Sequence, residues 1–208
     1  SHQREISEFV QRLKKLLSYN LGKEGRQTTL RMELEIVKEY IALQQMRYDF
    51  IIEMNIEDGS YLDQPTVRML FQPLVENAIR YGLGDDEKIS IQVFEDVARH
   101  LAVVTISDSG KGLNQEEIDE INQPFDYDWG YWKNENRGIG LRYVKAMLES
   151  FYDGQTSLFV NSKKGFGTRI TILLPVREPE EKKEKDKDKE VTLEENKVGQ
   201  TDERIDCR

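Results

Sequence analysis

The sequence predicts an α/β (α+β) domain, and three observations point there. Apolar residues recur at helical spacing in Ile6–Leu17 and again in Leu70–Ala78. Ile89, Ile91 and Val93 alternate as a half-buried strand does. Glycine turns punctuate the joins: Asp108-Ser109-Gly110-Lys111-Gly112 follows one strand-like run, and Gly138-Ile139-Gly140 opens a helix-like one.

Ile6, Phe9, Val10, Leu13, Leu16 and Leu17 form the stripe of a first helix ending near Tyr19–Gly22. Its closeness to the chain start is expected of a longer helical dimer element cut short. Thr28 or Thr29 suits the N-cap of a second helix running to about Met46, with Leu34, Val37 and Ile41 inward. Phe50–Ile56 reads as a strand and Asp58-Gly59-Ser60 as a turn. The next helix buries Leu70, Phe71, Leu74, Val75 and Ala78 and turns Glu76, Asn77 and Arg80 the other way, with Tyr81 at the border. Gly82, Gly84, Asp85 and Asp86 end it. Strands are expected at Ile89–Val93 and Leu101–Ser107, joined near Arg99–His100. A short polar helix, Gln115–Ile121, leads into a lid loop carrying the aromatic run Phe125–Trp132. Leu141, Val144, Leu148 and Phe151 stripe the last helix, and Thr156–Val160 and Thr168–Leu174 are strands. From Arg177 onward Glu, Lys and Asp dominate, as in a disordered or weakly helical tail.

Composition narrows the chemistry. A formal charge of −9 over 208 residues argues against a general nucleic-acid binder, which needs a basic face. The single cysteine, Cys207, excludes an intrachain disulfide framework and a cysteine-rich zinc site. His2 and His100 have no metal-ligand spacing. No apolar run is long enough to span a bilayer, and no signal-peptide pattern is present.

The glycine turns and the Asn77 helix combine into a nucleotide site. Gly138 and Gly140 let backbone approach an anion, and the helix they open aims free N–H groups and its dipole at it. Asp108, at a strand end before Gly110 and Gly112, can accept a hydrogen bond from an exocyclic amine such as that of adenine. Thr168, opening another strand, can support the same contact. Asn77 offers an amide oxygen to magnesium, Arg80 can pair with phosphate, and Glu76 can act as a base. No Walker sequence and no eukaryotic-type kinase loop is present, so the cradle is of another kind.

The order Glu76-Asn77, Asp108-x-Gly110-x-Gly112, Gly138-x-Gly140, Gly165-x-Gly167-Thr168 resembles the ATPase family shared by gyrase, the heat-shock chaperone, histidine kinases and the mismatch-repair ATPase. Gln72-Pro73-Leu74-Val75-Glu76-Asn77-Ala78-Ile79 and Arg137-Gly138-Ile139-Gly140-Leu141 resemble the LytS/YesM-type sensor histidine kinases. Leu16–Leu21 resembles the end of their dimerisation segment, and the likeness runs from about Glu8 to Pro175.

The resemblance implies a Bergerat-type two-layer sandwich, a mixed sheet against helices. It implies a helical dimerisation remnant at 1–22, the ATPase domain at 23–176 and a charged tail at 177–208. It gives Asn77 to magnesium, Glu76 to the base or phosphate-orienting role, Arg80 to phosphate and Tyr81 to the purine or ribose. Asp108 reads the adenine amine, and Gly110 and Gly112 shape the purine pocket. Gly138, Gly140 and Leu141 cradle phosphates, and Thr168 supports Asp108. ATP and Mg2+ are the implied ligands. A response-regulator receiver domain and a second copy, joined through the helical segment, are the implied partners. The chain would be a cytoplasmic domain of a membrane-anchored protein, touching membrane only through parts outside it.

Three departures qualify the likeness. Many members have His where Tyr81 stands. The lid lacks a clean phenylalanine box, and its aromatic run reads as a cluster holding the lid down. The acceptor histidine in its Asn-Pro-His-Phe context is absent, and His2 and His100 read as ordinary surface. Alternative readings are a nucleotide-binding pseudokinase scaffold and an anti-sigma-type serine kinase of the same fold.

Overall fold

The computed structural model describes residues 2–22, 28–83, 88–122 and 139–177. The expected lid run Phe125–Trp132, the turn at Gly84–Asp86, Gly138 and the tail from 178 lie outside them.

Helix α1 (His2–Asn20) packs on α2 (Leu30–Gln45). Only part of its expected stripe is buried: Leu16, with Tyr19, packs against Ile36 and Leu43. Ile6, Phe9, Val10, Leu13 and Leu17 stay exposed on this chain. Thr29 is the N-cap of α2, its hydroxyl accepting the Met32 N–H at 3.2 Å, a bond worth about 1 kcal/mol. A short antiparallel pair, β1 (Thr28–Thr29) with β3 (Pro65–Thr66), closes the α2 entry; the sequence gives no sign of it, because two-residue strands carry no period. The expected turn at Asp58–Ser60 runs on into a 3-10 turn, Ser60–Asp63.

The main sheet has the order β2-β4-β5-β7-β6. Its strands are β2 (Ile51–Ile56), β4 (Lys88–Asp96), β5 (Leu101–Asp108), β6 (Ser157–Ser162) and β7 (Thr168–Pro175). β2 runs parallel to β4 and the other pairs are antiparallel, so the sheet is mixed as expected. Register decides where the site falls. Side chains directly opposite share a face, so each cross-strand row is one line of that face. Val93–Val104–Ile172–Leu158 is one apolar row and Ile91–Ile106–Ile170–Val160 the next. The third row reads Ile89–Asp108–Thr168–Ser162. The face that builds the core therefore turns polar at one end of the sheet.

α3 (Gln72–Tyr81) and α5 (Ile139–Phe151) pack together, α2 packs on α3, and α4 (Gln115–Asn122) lies against α5. Leu34, Val37, Leu74, Val75, Val144 and Leu148 join the apolar sheet rows in one core. Leu70 and Phe71 precede α3 rather than belonging to it, yet both are fully buried. Phe151 does not complete the α5 stripe: it is 38% exposed, while Tyr152 is 3% exposed. The helix stops at Phe151, and the Tyr152 hydroxyl donates toward Pro65 O (3.2 Å) and Thr66 Oγ1 (3.0 Å), which holds the ring inward.

Candidate functional site

At the polar end of the sheet an open cleft of about 680 Å³ lies between the sheet and α3. α3 supplies Leu74, Asn77, Ala78 and Tyr81, the i, i+3, i+4, i+7 positions of one helix face. The expected division into an apolar and a polar face is thus revised. The cleft face mixes both kinds, and Glu76 and Arg80 lie off it, paired with each other at 3.5 Å and largely solvated. The walls are Ile106, Ile170, Ile121 and Leu141, and the polar lining is Asn77, Tyr81, Asp108, Lys111 and Thr168.

Asp108 is held by backbone. The N–H groups of Gly110 and Thr168 both donate to its Oδ1, each at 3.1 Å. Among the described residues nothing bonds its Oδ2, which leaves a carboxylate oxygen in an apolar cleft for a ligand donor. Burial pushes the Asp108 carboxyl above its ordinary value, and the two amides hold it partly back. Thr168 therefore braces Asp108 through its amide, while its hydroxyl turns to Ser162 Oγ at 2.9 Å.

The glycines near Asp108 are needed for close approach. A Cβ on Gly110 would lie 2.4 Å from Gly82 Cα, and one on Gly82 would lie 2.4 Å from Asp108 Cγ. Gly82 thus does more than end α3; it lets the helix end touch the Asp108 carboxylate. Gly112 lines the cleft, and a Cβ there would meet Lys163 O at 2.1 Å. Gly140 differs. A Cβ there would make only ordinary contacts, 3.5 Å from Asn77 Nδ2 and from Pro73 Cβ. Protein packing does not demand glycine at 140. Gly138 lies outside the described residues.

Two lining or bracing residues were not anticipated. Lys111 places Nζ 5.3 Å from the Tyr81 ring centroid at the cleft mouth. Its place inside the glycine turn was the available signal. Ser162 Oγ accepts the Leu113 N–H (2.8 Å) and donates to Gly167 O (2.8 Å), tying the two glycine turns together. With that hydrogen spent, Thr168 must donate in their shared bond. Nothing in the local sequence marks Ser162, because its partners come from distant turns. Among the described residues no cluster of His, Cys, Asp or Glu side chains is gathered as a metal site.

Residues 1–51 match the histidine kinase family model. Sensor protein kinase HptS of Staphylococcus aureus strain RF122 is 30% identical over 168 residues, 80% of this chain and 32% of its own. The same protein from strain USA300 matches over the same span. The chain thus spans about a third of the length of the curated relatives it matches. The histidine kinase AdeS of Acinetobacter baumannii shares the fold, with TM-score 0.53 and 18% identity over 85% of this chain and 82% of that one. So does the mycobacterial sensor histidine kinase MprB, with TM-score 0.50 and 18% identity over 72% and 95%. The span 62–178, which takes in α3, α5 and the cleft-lining strands, matches the family model described as histidine kinase-, DNA gyrase B-, and HSP90-like ATPase, and the chain belongs to that family.

Proposed function

We propose that this chain is the ATP-binding catalytic part of a sensor histidine kinase. It would pass the γ-phosphoryl group of ATP to a histidine of the kinase's dimerisation segment, and thence to an aspartate of a response regulator. The carrying observation is Asp108: one carboxylate oxygen is satisfied by two amides and the other stands open in an apolar cleft. That suits the flat, apolar purine with an amine on its edge. Tyr81 at the mouth would lie against the purine or ribose. Asn77, on the same helix face, would hold magnesium together with the nucleotide's phosphates, the usual way this ion is bound when few protein ligands are offered. Gly110 and Gly112 shape the purine end. Gly138, Gly140 and Leu141 would cradle phosphates at the start of α5. Arg80 and Glu76, outside the cleft wall, would meet the phosphate end as anion partner and as base or orienting carboxylate. Magnesium held there would supply charge neutralisation for phosphoryl transfer, and the residues would supply position. Residues 1–22 are read as the end of the dimerisation segment, 23–176 as the ATPase domain and 177–208 as a charged tail.

Acid–base behaviour gives one expected result. The carboxylate form of Asp108 accepts from the adenine amine more strongly than the protonated acid does. Its folded pKa is raised above 3.8, so adenosine binding weakens on acidification with a midpoint above that value. Stability of the free chain runs the opposite way: this group's contribution is full at low pH and is lost as pH rises through the folded pKa. Calorimetric affinities from pH 4 to 7, compared with Asp108→Asn, check the sign; identical profiles in both proteins reject it. Asp108→Ala lowers ATP affinity by about 1–3 kcal/mol.

The functional test uses radiolabelled ATP. The chain alone binds Mg–ATP and remains unlabelled. His100, exposed in the turn before β5, stands at the opposite end of that strand from Asp108, about 27 Å away at 3.4 Å per residue. Adding a separate polypeptide with the family's acceptor helix pair restores transfer weakly, because tethering is missing. Acid-labile label on the chain alone, lost in His2→Ala, overturns the expectation. Acid-stable label on a partner's serine supports the anti-sigma-type reading instead.

A further inference from the structure

Glu33, on α2, is the only charged side chain buried among the described residues, at 2% exposure. A buried carboxylate is costly unless every lone pair is used. Here the donors come from two other parts of the fold. Its Oε1 accepts the Tyr19 hydroxyl and the Met69 N–H, the latter at 2.9 Å, and its Oε2 accepts the Leu70 N–H at 2.7 Å. Tyr19 belongs to the last turn of α1 and is itself buried. It is held from two more sides. Thr28 Oγ1 lies 2.7 Å from its hydroxyl, and Arg68 Nη1 donates to its carbonyl at 2.8 Å, with the guanidinium 4.5 Å over its ring.

The segment that Glu33 grips is the entry to α3. Met69 has φ 58°, a left-handed conformation that a methionine rarely adopts. Phe71, the residue before α3, makes no side-chain cap bond. Glu33 instead holds the two residues before that cap by their N–H groups, and so fixes how the chain enters α3. Along α3 that entry leads within two turns to Asn77, and about a turn further to Tyr81, both on the cleft. An apolar residue there would leave the Met69 and Leu70 N–H groups and the Tyr19 hydroxyl without this acceptor. What the carboxylate adds is a fixed position for the Met69–Leu70 backbone and a bond to α1.

We propose that Glu33 is a positioning residue of the nucleotide site, fixing the entry of α3 and so the placement of Asn77, with the Tyr19 hydroxyl making that anchor depend on the docking of α1. The proposal rests on the reading of Asn77 as the magnesium ligand. Adenine recognition rests on Asp108 of the sheet, and α3 reaches it only through Tyr81 and Gly82, at the end of the helix away from Glu33. Loss of Glu33 therefore separates two parts of nucleotide binding that a general loss of fold would lower together.

The test measures ADP affinity of the full 208-residue chain by calorimetry, in magnesium and in EDTA, for the unaltered chain, Glu33→Gln and Tyr19→Phe. The ratio of the two dissociation constants isolates the metal's share. In EDTA all three proteins bind ADP within about twofold of one another. In magnesium the gain falls about tenfold or more in Glu33→Gln, the scale on which small displacements act at a reacting centre, and less steeply in Tyr19→Phe. A lower melting temperature with an unchanged ratio in Glu33→Gln shows a merely structural role and overturns the proposal. Should Glu33→Gln fail to fold, Tyr19→Phe keeps the ring and its packing, and an unchanged ratio there overturns the proposal equally. No magnesium gain in the unaltered chain overturns the reading of Asn77 and this proposal with it; a normal gain that no variant alters overturns this proposal alone.

Discussion

Asn77→Ala is expected to abolish phosphoryl transfer to added acceptor helices, a loss of about a hundredfold or more, since a bound cation contributes several kcal/mol of charge stabilisation. The argument is geometric. Asn77 is the polar side chain of α3 that sits between the apolar anchors Leu74 and Ala78 on the cleft face. Among the described residues no acidic cluster is at hand to hold a cation in its place. On the proposed reading the ion is shared between Asn77 and the nucleotide, and removing the amide leaves the phosphates as its main ligands. Adenine contacts are untouched, so ADP in EDTA binds Asn77→Ala as it binds the unaltered chain. Asn77→Asp keeps an oxygen at the same reach and recovers part of the rate. Glu76→Gln slows transfer with little effect on binding. Single-turnover labelling, with calorimetry alongside, separates these cases; equal transfer by Asn77→Ala and the unaltered chain would remove the metal ligand from the reading.

The second large effect is on the fold itself. Gly167 has φ 87°, and a Cβ there would lie 2.0 Å from Asp108 O. Gly167→Ala therefore meets two penalties, about 1–2 kcal/mol for the left-handed backbone and about 1–3 kcal/mol for displacing packed backbone. Together they approach a sizeable fraction of a domain's usual 5–15 kcal/mol. The strain falls where Thr168 donates to Asp108 Oδ1, so a protein that still folds binds ATP less tightly as well. Gly165 is the control. It has φ 82° but open space around it, and Gly165→Ala bears the first penalty alone. Urea titrations of the two variants give the difference directly; equal midpoints would show that the backbone near Asp108 moves freely.

Local patterns were legible where one element's own period carries the information. Leu70, Phe71, Leu74, Val75 and Ala78 all lie at the core, and Thr29 caps the helix it was expected to cap. Asp108 and Thr168 could be chosen from turn chemistry, and they meet across a ladder that no local pattern specifies. What remained hidden was set by contacts distant in sequence. Ser162 bonds Leu113, 49 residues away, and Tyr152 bonds Thr66, 86 residues away, which is why burial passes from the expected Phe151 to its neighbour. Glu33 reads as one more surface charge on an amphipathic helix until Met69 and Leu70 are brought beneath it. Glu76 and Arg80 were grouped with Asn77 by helical spacing alone, and the cleft face runs one step aside of them.

The bond from Thr168 N–H to Asp108 Oδ1 spans 60 positions of chain. On the proposed reading, the carboxylate that reads adenine is therefore set in place only once β5 and β7 have joined, a non-local event in the assembly of the sheet. An unfolded or half-zipped chain offers the nucleotide nothing. By mass action, ATP at a hundred times its dissociation constant then adds about 2.7 kcal/mol to the folded state. A cell rich in ATP would hold this domain against unfolding and proteolysis, and a fall in ATP would lower its standing population.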